Sequence, residues 1–592
     1  MTSPLIPPLS SLLVWPDGQA PWAKQEEVHQ RSSGARLYAL LMEQRTGKTV
    51  VALGTASYQY QRFLEAGGFG GAPSGRSGVQ AVQPPASVNL GGALPKLPKF
   101  ERLSDIPKKP SKPGMIYRPE AWANKGLDAM LVVALPSGVP RNWRDEIERR
   151  LPASMRAKTF LWSSDRAANV GYAEEFRRFV SHEGFIALLI NGEAIPTALA
   201  KKAIGTFLRA RRALVVGDET SLICSQPGNV RAHVMEAIKK LPGAICRRIL
   251  DGTPGDETPL DLFSQFSFLD KKILGFDSWV AFKAYYASWV VDEIYVPGGE
   301  KRKIRKQEVD DAGKKVYANL DVMAKSMAPY SFRVKRADCF DVPAKLYQPY
   351  RFELSAAQRK VYDPLREEFE AELRDGTIVS AAHALARMTR LDQVASNYWP
   401  SIKLPTICSN CAGDGCEACG DVGALIVATE KKIIDPERNP RIDALAEVIS
   451  ANREPGIVWA VFDETIDAVM ALGEKLGLNP ARYDGKVPED EKAANKAAFQ
   501  GGRSGLFVSK EASGGRGLDL SAAGWMAYAE NSYSKRKRSQ SEDRAEVAGR
   551  TRGTGIVDLI ALDTYDEAKL AAHAAKGAAS EFLWNLLRRE HA

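Results

Sequence analysis

Two blocks of short, nearly uninterrupted apolar runs constrain this chain more than any other feature. Met130–Pro136, Phe185–Ile190 and Ala213–Glu219 make the first block; Ile457–Phe462, Gly505–Ser509 and Ile556–Leu562 make the second. A strand that is apolar at consecutive positions has both faces buried, and a sheet achieves that when helices cover both sides. Helical-looking stretches separate the runs, so each block predicts a parallel sheet wound with helices. The expected fold class is α/β, with two such domains. At 592 residues the chain is too long for one core and has room for both.

Between the blocks, Asp256 to Arg441 has a different character, rich in aromatic and charged residues. AFKAYYASWVVDEIY and LSAAQRKVYDPLREEFEAELRD read as helices, and Glu300–Lys315 as a solvated hairpin or helix. Nine Gly and eight Pro fall within Ala66–Gly114, which leaves too little apolar material to offset the entropy of ordering. That segment is expected to be a flexible insertion. The resulting division has a first domain over residues 1–255, a mainly helical region over 256–440, a second domain over 441–566 and a C-terminal helix over 567–592.

A net charge of +9 favours a polyanionic partner. No apolar run approaches the roughly 18–20 residues of a membrane span, and the N-terminus lacks a signal-peptide pattern, so a cytoplasmic protein with no membrane partner is expected. Seven cysteines are too few for a disulfide scaffold. Four of them, Cys408, Cys411, Cys416 and Cys419, form a C-x-x-C, four-residue gap, C-x-x-C array. Four thiolates satisfy tetrahedral Zn2+, and Gly413, Gly415 and Gly420 permit tight turns around it. A small zinc module over residues 405–422 is therefore expected, ahead of an iron–sulfur cluster or free thiols. The run Lys535–Arg538, KRKR, suits either a phosphate-backbone contact or a solvated loop.

Leu40–Leu53 reads LLMEQRTGKTVVAL, in which Gly47-Lys48-Thr49 follows an apolar run and opens a helical stretch. A phosphate-binding loop needs this arrangement. Backbone N–H groups and a helix N-terminus hold phosphate, the lysine reaches the β and γ oxygens, and the threonine ligates Mg2+. The full pattern asks for glycine at position 42, where this chain has Met42. Asp218 and Glu219 supply the other half of the chemistry, because they directly follow a buried-type strand. At such a strand end the first carboxylate can hold Mg2+ and the second can orient or deprotonate the attacking water. ATP and Mg2+ join Zn2+ as the expected cofactors.

The order of these motifs resembles the Swi/Snf-type branch of the superfamily-two helicases, especially compact phage-encoded members. Gln25 stands where that family has an adenine-reading glutamine, and PSGVPRNWRDEI (136–147) looks like its DNA-facing motif Ia, with Trp143 and Glu146 in matching places. DETS (218–221) is similar to motif II, LDGTP (250–254) to motif III, VFDETIDAV (461–469) to motif IV and YDGKV (483–487) to the short motif after it. SGGRGLDLSAA (513–523) resembles motif V and QSEDRAEVAGRTRG (540–553) motif VI, while LARMTRLDQVASN (385–397) looks like the family's helical Arg-Leu-Arg region. Three departures stand out: DETS lacks the histidine of DEAH, Arg45 replaces a common glycine, and motif VI is longer than usual.

The resemblance implies two RecA-like lobes with ATP between them. It assigns nucleotide contacts to Gln25, Thr46, Gly47, Lys48, Thr49, Gly515, Asp519 and Gln540, and Mg2+ to Thr49 and Asp218. Catalysis falls to Lys48, Asp218 and Glu219, with an arginine that neutralises the γ-phosphate. Arg544, Arg550 and Arg552 are the candidates; the glycine–arginine step at 549–550 nominates Arg550, with Arg544 as a helper. The implied function is a DNA-dependent ATPase motor that translocates on or remodels duplex DNA. A strand-separating helicase is the alternative within the same chemistry, and a non-hydrolysing DNA-binding scaffold is the alternative from another class. Replication, recombination or repair proteins are the conceivable protein partners; in a phage-encoded member the compartment is the host cytoplasm. Oligomeric state is left open.

Overall fold

The computed structural model describes residues 5–16, 19–69, 117, 124–135, 139–224, 227–255, 258–295, 301–311, 314–339, 343–374, 381–399, 403–407, 424–428, 432–511, 518–546 and 552–575. Two compact units are built on Met1–Asp341 and on Val342–Ala574. Both are mixed α/β, each around a large parallel sheet.

In the first unit the strands are β1 (Leu37–Met42), β2 (Ala129–Ala134), β3 (Lys158–Leu161), β4 (Ile186–Asn191), β5 (Ala213–Asp218) and β6 (Ala244–Leu250). A hairpin of β7 (Trp289–Tyr295) and β8 (Lys301–Gln307) follows, then β9 (Ser331–Val334). Seven of these form one parallel sheet in the order β3-β4-β2-β5-β6-β1-β9. The continuous apolar runs exist because both faces are covered. Along β2, Ala129, Leu131 and Val133 enter one core, and Met130, Val132 and Ala134 enter the other. The first core takes Phe176 and Phe207 from helices Val170–Val180 and Ala198–Ala210. The second takes Val50 and Val51 from helix Lys48–Glu65, and Trp143 and Ile147 from helix Val139–Arg150.

One polar side chain in β6 positions a helix that matters below. Arg248 is fully buried, and its guanidinium donates to the carbonyls of Ser32 at 2.6 Å and Ala35 at 2.7 Å. These carbonyls close the C-terminal end of helix Ala23–Ser32, so the cation both satisfies orphan acceptors and meets the negative end of the helix dipole. A second tie runs from His29 Nδ1 to the Ser33 hydroxyl at 2.7 Å, and from there to the Thr55 hydroxyl at 2.9 Å. Helix Ala23–Ser32 is thereby fastened to both the sheet and helix Lys48–Glu65.

The second unit contains β10 (Leu346–Phe352), β11 (Tyr398–Trp399), β12 (Lys403–Ile407), β13 (Ala424–Ala428), β14 (Lys432–Ile433), β15 (Gly456–Ala460), β16 (Ala481–Tyr483), β17 (Leu506–Lys510), β18 (Trp525–Tyr528) and β19 (Gly555–Ala561). Its parallel sheet has the order β10-β19-β18-β15-β17-β16. Val458 and Ala460 pack on one face of β15, Ile457 and Trp459 on the other. Strands β11 and β14, and β12 and β13, form two short antiparallel pairs. A buried ionic cluster joins three helices: Arg441 donates to Asp566 at 2.8 Å, and Lys569 lies 2.7 Å from Asp392. Burial alone would raise the Asp566 pKa, but Arg441 and Lys569 hold it down to about 2.

Every one of the six apolar runs is a strand of a parallel sheet. The region after Asp256 differs from its helical reading in two ways. Only the first half of the aromatic segment is helical, as Trp279–Tyr286; Trp289–Tyr295 is β7, where Val290 and Val291 suit a pleated strand, and its partner β8 lies in Glu300–Lys315, which takes the hairpin alternative of its reading. The same region also supplies β9 to the first sheet and β10 to the second. Both are terminal strands of their sheets, and neither runs apolar: buried Ser331 and Arg333 interrupt SFRV, while LYQPYRF is mostly exposed. No helix among the described residues is long and apolar enough to cross a membrane.

Candidate nucleotide site

The GKT loop, the Asp-Glu pair and Asp251 all sit at the carboxyl ends of adjacent strands. Leu40 of β1 pairs with Leu250 of β6, which pairs in turn with Asp218 of β5. Parallel strands put the loops that follow them on one edge, so distant sequence segments converge there.

Gly47 caps the helix that begins at Lys48, with φ of 89° in the left-handed region. A Cβ at this position would also lie 2.2 Å from Gln25 Nε2, so both backbone and space require glycine. Gln25 is buried against the loop: its Nε2 donates to the Thr46 carbonyl at 3.3 Å, and its Oε1 accepts from the Trp22 N–H at 3.0 Å. The Thr46 hydroxyl donates to the Glu43 carbonyl at 2.6 Å. Met42, in place of the pattern's first glycine, is the last residue of β1 and is fully buried. The loop therefore starts at Glu43, whose carboxylate is anchored by Arg333 at 3.2 Å and by the Arg336 N–H at 2.9 Å. Thr49, half-buried, is the second residue of the helix.

Lys48 Nζ is buried and has no hydrogen-bond partner among the described residues; it lies 3.6 Å from Glu219 Oε1. Gly252 leaves room for it, since a Cβ there would stand 3.2 Å from Nζ. An orphaned ammonium at the head of a glycine loop and a helix N-terminus fits a phosphate. Asp218 is buried, with Oδ2 accepting from Trp143 Nε1 at 2.8 Å and Oδ1 from the Glu219 N–H at 3.1 Å. Burial pushes its carboxyl above the usual range, and Asp251 adds to this, against Lys48, Trp143 and the Glu219 N–H. A carboxylate in that setting fits a divalent cation, and Asp218 and Thr49 are the residues present to hold one. Glu219 itself has φ of 52°, a left-handed conformation that a non-glycine residue adopts only under constraint.

Asp251 supplies that constraint. Its Oδ2 accepts from the Ser221 N–H at 2.6 Å and its Oδ1 from the Thr253 N–H at 2.9 Å. The Thr220 hydroxyl donates to the Leu250 carbonyl at 3.3 Å. The last two residues of DETS thus point inward, onto the LDGTP segment, and both are fully buried.

Trp143 differs from its reading as a DNA-facing residue: it is 1% exposed and reaches Asp218. Glu146 pairs within its own helix, with Arg150 at 2.7 Å. Two residues of KRKR are also inward. Arg538 lies over the Tyr528 ring, 3.4 Å from its centroid, and bonds Asp558 and Glu542, while Arg536 is buried. Neither arrangement has a local sequence signature. Asp251 directly follows β6 and Asp218 ends β5, but the two arginines of AICRRIL break the apolar run that would have marked Asp251 in the sequence.

The remaining candidates lie in the second unit. Asp519 is exposed, and its Oδ1 accepts from the Ser521 N–H at 3.2 Å. Gln540 is buried on helix Lys535–Glu542. Arg544 is buried and donates to the Leu518 carbonyl at 3.4 Å, and the Leu520 N–H returns a bond to the Arg544 carbonyl at 3.1 Å. Arg552 is 79% exposed on its side chain and pairs with Glu454 at 2.7 Å. Gly515, Arg550 and the four cysteines, Cys408, Cys411, Cys416 and Cys419, lie outside the described residues.

Fold and site together describe a two-unit α/β chain with a glycine–lysine–threonine loop and an Asp-Glu pair on one strand edge. Among known proteins the chain is similar to proteins named as ATP-dependent helicases and as TATA-binding protein-associated factors. It is 22% identical over 369 residues to the TATA-binding protein-associated factor mot1 of Aspergillus fumigatus, covering 57% of this chain and 18% of that protein. It is 20% identical over 441 residues to the uncharacterized ATP-dependent helicase MG018 of Mycoplasma genitalium, covering 74% of this chain and 35% of that protein. The chain thus spans about a fifth to a third of the length of these curated relatives. A Sulfolobus solfataricus SWI2/SNF2 ATPase core solved in complex with dsDNA overlaps 96% of this chain and 95% of its own, at 14% identity and a TM-score of 0.33; nothing below rests on that overlap. No family model matches.

Proposed function

We propose that the chain is a DNA-dependent ATPase motor that translocates on or remodels duplex DNA, its two parallel sheets being the RecA-like lobes of a helicase core. The observation that carries this is Lys48: a buried ammonium at the head of a glycine loop, 3.6 Å from a Glu219 that is itself held in a strained turn beside Asp218. Lys48 would neutralise phosphate charge, Asp218 and Thr49 would hold Mg2+, and Glu219 would orient the attacking water. Mg2+ bound there supplies charge neutralisation and a fixed geometry for the phosphates. Gln25, packed on the loop, is placed to read a base only if its amide leaves Thr46, so its first role is to shape the loop.

Relatives named as a helicase and as a TATA-binding protein-associated factor support action on DNA. The net charge of +9 is compatible with that partner. Gly515, Asp519 and Gln540 are assigned to the nucleotide or the DNA backbone, and Arg550 to the γ-phosphate. Cys408, Cys411, Cys416 and Cys419 are assigned to Zn2+. They fall between β12 and β13, whose end pair Ile407 and Ala424 brings the two sides of the cysteine segment together.

The test is ATP turnover by the full chain with no nucleic acid, single-stranded DNA, duplex DNA, forked DNA and RNA. Strong stimulation by duplex DNA, with triplex displacement, is expected. Equal turnover under every condition overturns the motor.

A further inference from the structure

The helix Val139–Arg150 is exposed along Arg141, Asp145 and Glu148, and turns Trp143 and Ile147 into the core that also receives Val50 and Val51 of the loop helix. An indole in that position needs only apolar neighbours for its ring, but its N–H must find an acceptor. It takes Oδ2 of Asp218 at 2.8 Å. Strand β2, which leads toward this helix, runs beside β5, with Ala134 paired to Asp218.

The other carboxylate oxygen accepts from the Glu219 N–H at 3.1 Å. Each oxygen therefore has one donor fixed by the fold, and the plane of the carboxylate cannot turn. Neither donor is mobile: one is a main-chain amide in a constrained turn, and the other sits on a side chain that is 1% exposed. Each oxygen keeps acceptor capacity for a further partner. This is the relation that outer residues have to metal ligands, where a second bond sets the direction and basicity of the first.

We infer that Trp143 is a positioning residue for the divalent-cation carboxylate, orienting Asp218 through its indole N–H. The inference rests on the nucleotide-site reading above. It assigns the tryptophan to the chemistry of ATP rather than to the DNA face.

The experiment compares wild type, Trp143→Phe, Asp218→Ala and the double variant by binding of a fluorescent ADP analogue, with MgCl2 and with EDTA. Phenylalanine keeps most of the ring packing and removes only the donor. Outer donors to metal ligands are worth about 10–100-fold in metal affinity. The Mg2+-dependent gain in ADP affinity should therefore fall by about tenfold or more in Trp143→Phe, with affinity in EDTA and the thermal midpoint nearly unchanged. In Asp218→Ala the further change to phenylalanine should cost little, because the two act as one unit. A Mg2+ gain equal to wild type, equal loss with and without Mg2+, or losses that add in the double variant each overturn the inference while leaving the nucleotide site standing. A wild type that binds no nucleotide under either condition overturns both.

Discussion

Asp251 binds the backbone N–H of Ser221 at 2.6 Å, and in doing so ties the segment after the Asp-Glu pair to the segment after β6. Its second oxygen holds Thr253 at 2.9 Å, so one buried carboxylate fixes two loops at the strand edge. The left-handed turn at Glu219 is maintained by this bond two residues further on.

Asp251→Asn should therefore loosen that turn. One acceptor oxygen becomes an amide donor facing a backbone N–H, which costs about 1–3 kcal/mol when it leaves the group unsatisfied. The thermal midpoint should fall by a few degrees, and turnover should fall while nucleotide affinity changes little. Unchanged turnover would show that the Glu219 conformation does not depend on Asp251.

Lys48→Ala should abolish both tight nucleotide binding and turnover, since its buried ammonium stands at the head of the glycine loop where phosphate would bind. Glu219→Gln should retain nucleotide and lose chemistry, because the amide keeps the shape but cannot accept a proton. Binding titrations beside steady-state turnover separate the two. A Glu219→Gln chain that still turns over would move the water-orienting role elsewhere.

The arginines of the motif VI segment should separate by readout. Arg544 is buried on the Leu518 carbonyl, so Arg544→Ala should lower the thermal stability of the second unit as well as activity. Arg550→Ala should leave stability and ATP binding near normal and reduce turnover by about 10³-fold or more. Collapse of turnover at unchanged stability in Arg544→Ala, with Arg550→Ala active, would reverse the assignment.

Protein purified without chelator should carry about one Zn2+ per chain, as a four-thiolate site requires. Cys408→Ser with Cys411→Ser should release it and lower stability, because binding energy at such a site is folding energy. Elemental analysis that finds no metal removes the site. Loss of DNA binding at unchanged stability would make it a recognition element.

The helix that carries Gln25 should be pH-sensitive. Burial pulls His29 below its ordinary pKa of 6.5, against smaller opposing contributions from the Pro7 carbonyl and Glu26. The folded chain therefore favours the neutral ring. Stability from this group is complete above about pH 6.5 and is lost as pH falls from there toward the lowered folded value. Thermal midpoints of wild type and His29→Gln, measured from pH 7.5 to 5.5, should converge as the pH falls. Parallel curves would show that His29 does not titrate between the two states.

The sequence by itself determined the architecture. Burial on both faces writes apolar residues at consecutive positions, so all six core runs and their division into two α/β units were legible without coordinates. Gly47-Lys48-Thr49 and Asp218-Glu219 were legible too, because a loop that follows a strand and opens a helix has a local grammar of residue types. The terminal strands β9 and β10 were not, since buried Ser331 and Arg333 interrupt the first and the second is mostly exposed. What only the tertiary structure decided was which distant groups share a hydrogen bond. Trp143 lies 75 residues before Asp218 in the chain, and Asp251 lies 30 residues after Ser221. Strand register brings the carboxyl ends of the strands to one edge and the helices packed there complete each pair, and a tryptophan on a charged helix or an aspartate after a strand looks the same in sequence wherever its partner lies. The inward turn of Arg538 belongs here as well, because a run of four cations is solvated or buried according to the carboxylates the fold delivers, and Asp558 arrives from β19, 20 residues along the chain.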